Sequence, residues 1–206
     1  MRPDPTILAF DTSAAHCAAA LLMGGTIVAR RYEEMKKGQA ERLFPMLEEV
    51  LGDVSAVWKD LDAIGVGTGP GNFTGIRIAV SAARGLALGL DIPAVGISTF
   101  EIAQRMGQPR GDGLGWTEYL PAPQGRAYAQ GFRDAQLTGA PWIVDGHESD
   151  TLSYMNTAWS GETLEHLATR TATKLAEAVR MSPPAPLYIR PPDAAPSSDP
   201  PPVILS

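Results

Sequence analysis

GVGTGPGNFTGIRIAVSAARGLALGL, residues 65–90, is the stretch from which the rest of the chain is read. Leu61 to Val66, just before it, is short and apolar, as a buried strand is. Gly67 to Gly71 holds three glycines and Pro70 and cannot continue regular structure. Glycine admits positive φ and close backbone approach, and proline fixes φ and removes a donor. Asn72 and Thr74 are residue types that cap the start of a helix. From Gly75 to Leu88 the period is helical, with Ile76, Val80, Ala83, Ala87 and Leu90 at three- and four-residue spacing. A second stripe, Ile78, Ala82, Gly85 and Gly89, is nearly all small, and Arg77, Ser81 and Arg84 give the polar side. A helix apolar on two faces needs two things to pack against. One is its own sheet; the other is expected to be a partner.

Working outward, Thr6 to Phe10 is a short apolar run ending in Asp11-Thr12-Ser13. His16 to Met23 predicts a second strand, Gly24-Gly25 a two-residue hairpin turn and Thr26 to Tyr32 a third strand. Gln39 to Leu51 reads as a helix with Ala40, Leu43, Leu47, Val50 and Leu51 on its core face. Pro45 should kink it, because it removes the bond to the carbonyl of Glu41. Phe44 and Met46 fall off that core face. Ile92 to Ile97 predicts a strand, and Ser98 with Glu101 forms a capping box for a helix to about Met106. This β-β-β-α-β-α-β-α order implies an α/β fold, a mixed sheet with helices on its faces. Residues 107–115, GQPRGDGLG, break the pattern. The expected division is a lobe over 1–106, a smaller second lobe over 107–182 and a proline-rich extended or disordered tail over 183–206. In the second lobe, Trp116 to Leu120, Arg126 to Phe132 and Trp142 to Val144 suit short strands, and Glu162 to Arg180 an amphipathic helix.

The 206 residues carry 23 acids against 17 bases, a net charge of −6, which argues against a protein that grips nucleic acid alone. One cysteine, Cys17, excludes an internal disulfide and suits a reducing, cytoplasmic setting. The N-terminus lacks the pattern of a signal peptide, and no stretch reads as long and apolar enough to span a bilayer, since Gly, Arg and Ser interrupt the best candidate.

The glycine loop opening a helix suggests anion binding. It is neither a Walker loop, having no lysine, nor a dinucleotide fingerprint, with Asn72 where the third glycine belongs. A ligand-free strand-to-helix turn is an equal reading. Asp11, Thr12 and Ser13 together with Gly69, Gly71, Asn72 and Thr74 make a candidate phosphate-binding set, in which carboxylate and hydroxyls suit a magnesium-bound phosphate. An Asx turn is the commoner outcome of Asp-Thr-Ser. His16, His147 and His166 lie far apart; no zincin pairing and no Gly-x-Ser-x-Gly elbow occurs. No metal set and no catalytic set emerges.

ILAFDTS (7–13), GQAERLFPMLEEVL (38–51) and LDAIGVGTGPGNFTGIRIAVSAARGLALG (61–89), with PLYIRPPDAAP (186–196) near the end, resemble the bacterial TsaB (YeaZ) family. The resemblance implies a two-lobed actin/Hsp70/sugar-kinase-like (ribonuclease H-like) fold. It implies a catalytically silent relative of TsaD that serves as its partner in making N6-threonylcarbamoyladenosine at position 37 of tRNAs reading codons that begin with adenine. ATP and metal are then expected on partner subunits, a TsaD-like paralogue and a TsaE-like ATPase, with tRNA met only through the complex. TsaD carries metal-binding histidines in its first long helix; here that helix opens Gly38-Gln39-Ala40-Glu41-Arg42, without histidine. Relatives have been labelled glycoproteases, but no residues here suit a protease centre. An ATP-dependent kinase or ATPase of the same fold is the alternative, with Asp145 the sole second acid at a strand end. The expected partner face combines Ile78, Ala82, Gly85 and Gly89 with Phe44 and Met46, rimmed by Arg77 and Arg84, and suits a TsaD-like subunit or a homodimer.

Overall fold

The computed structural model describes residues 4–106, 115–134, 136–145, 161–177 and 182–189. Strands β1 (Ile7–Asp11), β2 (His16–Met23) and β3 (Thr26–Glu34) form an antiparallel meander. Its turn between β2 and β3, Gly24-Gly25, takes φ of 57° and 74°, a pair of positive angles that glycine adopts without steric cost. Strand β4 (Ala63–Gly67) joins β1 in parallel, and β5 (Ala94–Ile97) joins β4 in parallel, giving the order β3-β2-β1-β4-β5. Helix α1 (Gln39–Gly52) returns the chain from β3 to β4, and α2 (Phe73–Leu90) returns it from β4 to β5. Helix α3 (Thr99–Met106) follows β5.

Alternation along the strands sorts the core into two layers. Leu8, Phe10, Ala19, Leu21, Ile64 and Val66 face α1 and α2. Ile7, Ala9, Ala18, Ala20, Ala63, Val95 and Ile97 face the other way, onto helix α4 (Gly161–Ala176) and Ile102 of α3. The sequence reading grouped this late helix with the second lobe; its buried stripe, Leu164, Leu167, Ala168 and Leu175, lies against the first sheet instead. Thr171 crosses β4 where Gly65 has no side chain, since a Cβ there would stand 2.4 Å from Thr171 Oγ1. Lys174 clips the layers together by pairing with Glu101 at 2.5 Å and donating to the carbonyl of Gly96 at 3.2 Å. Glu101 also accepts from the backbone N of Ser98 at 2.8 Å while Ser98 Oγ accepts from Glu101 N at 3.2 Å, the capping box predicted for α3.

The second sheet, β6 (Trp116–Ala122), β7 (Arg126–Arg133) and β8 (Gln136–Val144), is antiparallel. The third strand is longer than the predicted Trp142 to Val144, because Gly139, at φ 68°, and Pro141 mask the strand pattern. Leu120 and Phe132 pack with Phe100 and Ala103 of α3, and Leu187 and Ile189 join them. The first residues of the tail are therefore docked: Pro184 is buried, and Leu187 N donates to Thr68 O at 2.9 Å. Residues 190–206 and the helix end predicted to Arg180 lie outside the described residues.

Three expectations need correction. Met46 is fully buried, because with Leu43, Leu47 and Val50 it completes an i, i+3, i+4, i+7 stripe. Helix α2 starts at Phe73, with Asn72 as its cap and Thr74 inside its first turn. By length and composition α2 does pass as apolar enough to cross a membrane, at mean hydropathy 1.3, since Arg77 and Arg84 are its sole charges. Its inner stripe of Ile76, Ala79, Val80 and Ala83 is nevertheless committed to the sheet.

Cys17 sits wholly inside the first core layer. Burial pushes its thiol up to about 12, with Arg42 opposing and Glu33 and Asp11 adding to the effect. The folded protein should therefore resist thiol-disulfide reagents at pH 8 and react fully in denaturant. Rapid reaction of the native protein, followed by absorbance, would contradict this core.

Candidate functional site

The candidate phosphate groups come together at the carboxyl ends of β1, β4 and β5, where open α/β sheets bind ligands. They meet one another there. Asp11 ends β1 fully buried. Its Oδ1 accepts from Ser13 N at 2.7 Å and Ser13 Oγ at 2.8 Å, which is an Asx turn, and lies 2.8 Å from His16 Nε2. The His16 ring is buried and stacks on Tyr32 with centroids 5.5 Å apart. No sequence motif signals this Asp11–His16 pair; the hairpin geometry of β1 and β2 makes it. Hydroxyl and imidazole here share one carboxylate oxygen, whereas in a catalytic triad the imidazole stands between hydroxyl and carboxylate. This trio holds a turn in place and does not activate Ser13.

Across from the turn lies the glycine loop. Asp11 Oδ2 is buried without a hydrogen-bond partner among the described residues and faces Gly67, where a Cβ would fall 1.7 Å from it. Thr12 Oγ1 donates to Gly75 O at 2.7 Å, and Asn72 N donates to Ser13 O at 2.5 Å. A Cβ on Gly71 would stand 2.3 Å from Ser13 O, and one on Gly75 1.9 Å from Thr12 O. Asn72 Oδ1 accepts from Gly75 N at 2.9 Å and so caps α2. Gly69 O accepts from Thr99 N at 2.8 Å, and Thr68 O accepts from Leu187 N. The Thr12 and Ser13 hydroxyls and the Asn72 and Gly75 amides are thus engaged within the chain, while Gly71 to Thr74 are exposed. Among the described residues no three His, Cys, Asp or Glu side chains cluster as a metal site. Asp145 is exposed just beyond β8, His166 is half-buried on α4, and His147 lies outside the described residues.

The expected partner face divides. Ile78 and Ala82 are half-buried against the core layer that includes α1. Gly85 and Gly89 are exposed, and a Cβ on either meets nothing within 4 Å. Phe44 on α1 is 45% exposed and Leu88 on α2 86%. Arg77 and Arg84 are exposed and lie outside any ion pair among the described residues; the Arg77 guanidinium sits 4.8 Å over the Phe73 ring, which stacks on Tyr188. Arg84, Gly85 and Leu88 line a groove of about 570 Å³ with Pro183 and Pro184 of the docked tail. The tail's share in this surface was not legible in the sequence, where Phe73 and Tyr188 are far apart.

An antiparallel β1–β2–β3 meander continued by parallel β4 and β5, with helices on both faces, is the actin- and ribonuclease H-like fold. A family model described as "TsaD: tRNA N6-adenosine threonylcarbamoyltransferase" matches residues 27–113. The protein TsaB of Escherichia coli K12 is 40% identical over 93 residues, 45% of this chain and 40% of that relative. The protein TsaB of Buchnera aphidicola (subspecies Schizaphis graminum) is 42% identical over 96 residues, 47% of this chain and 45% of that one. The matched stretch thus spans less than half the length of these curated relatives. A solved Pseudomonas aeruginosa structure, described as similar to peptidase YEAZ, shares the fold at TM-score 0.71 and 23% identity, covering 90% of this chain and all of that one. The chain is thus similar to TsaB proteins in sequence over its first half and to the YeaZ-like structure in fold over nearly all its length.

The contact between Asp11 and Gly67 yields a stability test. Gly67→Ala should destabilise by roughly 1–3 kcal/mol, the usual range for overpacking. Asp11→Ala should also destabilise, by removing the acceptor that Ser13 N, Ser13 Oγ and His16 Nε2 share. The double variant should lose less than the sum of the two, because the clash is then gone. Urea melts measure all three; an unchanged midpoint for Gly67→Ala would disprove the close approach.

Proposed function

We propose that this chain is a non-catalytic partner subunit in the formation of threonylcarbamoyladenosine on tRNA, binding and activating a TsaD-like paralogue. The observation that carries the reading is the contrast between two surfaces. At the strand ends, Asp11 Oδ1, Thr12, Ser13, Asn72 and Gly75 are bonded to one another. On the outer side of the first core layer, α2 leaves apolar surface uncovered, with only 28% of its residues buried. The relatives' names suggest the reaction: both TsaB proteins are named for tRNA threonylcarbamoyladenosine biosynthesis. In this reading ATP and metal chemistry reside on the paralogue and on a TsaE-like ATPase, and tRNA is met through the complex. The docking face is Phe44 with Ile78, Ala82, Gly85 and Gly89, rimmed by Arg77 and Arg84.

Reconstitution tests it. The chain alone, given threonylcarbamoyl-adenylate and tRNA, should transfer nothing, and transfer should rise when it is added to TsaD and TsaE. Gly85→Leu fills open space and should fold like wild type while weakening capture of TsaD about tenfold or more, since the ridge can no longer approach closely. Turnover by the chain alone, or wild-type capture by a folded Gly85→Leu protein, would overturn the assignment.

Calorimetry of the isolated chain with Mg-ATP should show weak or no binding. Micromolar affinity would favour the kinase or ATPase reading instead.

A further inference from the structure

The second sheet carries a hollow of about 460 Å³ that the partner role leaves unused. Thr117 of β6, Gly131 of β7 and Thr138 of β8 lie side by side in register beneath it. Phe132 packs toward α3, so its neighbours Gly131 and Arg133 point to the other face of the sheet. A Cβ on Gly131 would stand 2.7 Å from Thr138 Oγ1, so this hydroxyl leans over β7 where no side chain stands. Trp142, 42% exposed, borders the hollow, and so does the exposed Arg133. The Thr117 and Thr138 hydroxyls, the Trp142 indole N–H and the Arg133 guanidinium make no hydrogen bond or ion pair among the described residues. The edge of β8 does not suit an added β-strand, because Pro141 lacks an N–H and Gly139, at φ 68°, breaks the extended run.

An exposed indole beside unused donors suits a proline-rich peptide. Such a peptide takes the polyproline II form, whose carbonyls have no internal hydrogen bonds and accept from hydroxyls and indole N–H groups, while its rings pack on an aromatic face. The unpaired Arg133 asks for an acid in that peptide. The chain itself supplies one: residues 191–202, PPDAAPSSDPPP, hold six prolines in twelve residues, with Asp199 directly before Pro200, Pro201 and Pro202. The described tail leads there. Ile189 packs in the cluster that contains Phe132 and Trp116, and both of these residues also border the hollow. From Ile189 to Asp199 a polyproline II chain reaches about 31 Å, at about 3.1 Å per residue. A sheet layer with its side chains is only about 10 Å thick, so the segment can round the end of the sheet with length to spare.

We propose that this hollow is a binding site for a proline-rich, acidic peptide and that its occupant is the chain's own segment Asp199 to Pro202. Pro200 to Pro202 lie on the Trp142 ring, Thr117 and Thr138 donate to the segment's carbonyls, and Asp199 pairs with Arg133. The exposed ion pair adds little affinity but fixes the direction in which the segment lies. The site is independent of the partner role and stands whether or not the chain captures TsaD.

The full chain with Ser198→Cys can carry a nitroxide next to Asp199, because Cys17 is wholly buried. The indole N–H signals of the ¹⁵N-labelled protein then report where the label sits. The Trp142 signal, identified by its loss in Trp142→Phe, should fall roughly twofold or more in intensity when the segment is docked on that ring. Trp58, which packs on the first core layer, serves as the distant reference. Arg133→Glu should return the Trp142 signal to the level of the reference, and Arg133→Glu with Asp199→Lys should broaden it again. Asp199→Lys alone should also relieve the broadening, and serves if Arg133→Glu fails to fold. A Trp142 signal affected no more than that of Trp58, a folded single charge variant that stays broadened, or a folded double variant that is not broadened again would overturn the proposal. So would broadening that arises only when ¹⁵N-labelled chain without nitroxide is mixed with unenriched chain that carries it, since the occupant would then be a second copy.

Discussion

Two backbones touch at the centre of this molecule, and the touch is possible because three residues have no side chain. The turn after β1 presents Asp11 Oδ2, Ser13 O and Thr12 O to Gly67, Gly71 and Gly75, at distances where a Cβ would stand 1.7, 2.3 and 1.9 Å away. Any other residue at these places would push the β1–β2 hairpin off the start of α2. The contact also decides what remains available for chemistry. Thr12 is bonded to Gly75 and Asn72 to Ser13, which holds the two loops together.

From that contact the rest of the first lobe is positioned. It fixes the N-terminus of α2 over the strand ends, so that Ile76, Ala79, Val80 and Ala83 reach the sheet. Burying each of the larger side chains contributes about 1.5–3 kcal/mol. The same helix is left with an outer surface that its own lobe does not cover. Helix α4 and the docked tail close the structure from the opposite side and from the cleft, through Thr171 over Gly65 and Pro184 over Gly96. Gly65 and Thr171 are 106 residues apart and Gly96 and Pro184 are 88 apart, and Tyr188 of the tail extends the surface begun by Phe73.

Much of the first lobe was legible. Strand alternation, the Gly24-Gly25 turn and the Ser98–Glu101 box are local signals, and each appears where its residues put it. The candidate site was legible in membership and not in arrangement. Asp11, Thr12, Ser13 and the glycines could be named as a set, but the choice between a phosphate cradle and a closed turn depends on how near two loops approach. That distance is set by packing on both sides of the sheet. The Asp11–His16 pair was missed because position five along a hairpin carries no motif. Met46 was misplaced because Phe44, its apolar neighbour on α1, competes for the same stripe in a one-dimensional reading.

By itself the sequence determined the elements and their order, because helix and strand periods, caps and glycine turns act within a few residues. It also determined that α2 would have two apolar faces and that this loop could bend as no other residues allow. Tertiary structure decided the rest: that α4 belongs to the first sheet, that the tail's first residues dock beside Thr68 and Gly96, and that Thr12, Ser13 and Asn72 at the strand ends are held by bonds within the chain. These are contacts between distant segments. Which of them form depends on the volume left when every element is packed at once, and no local pattern carries that information.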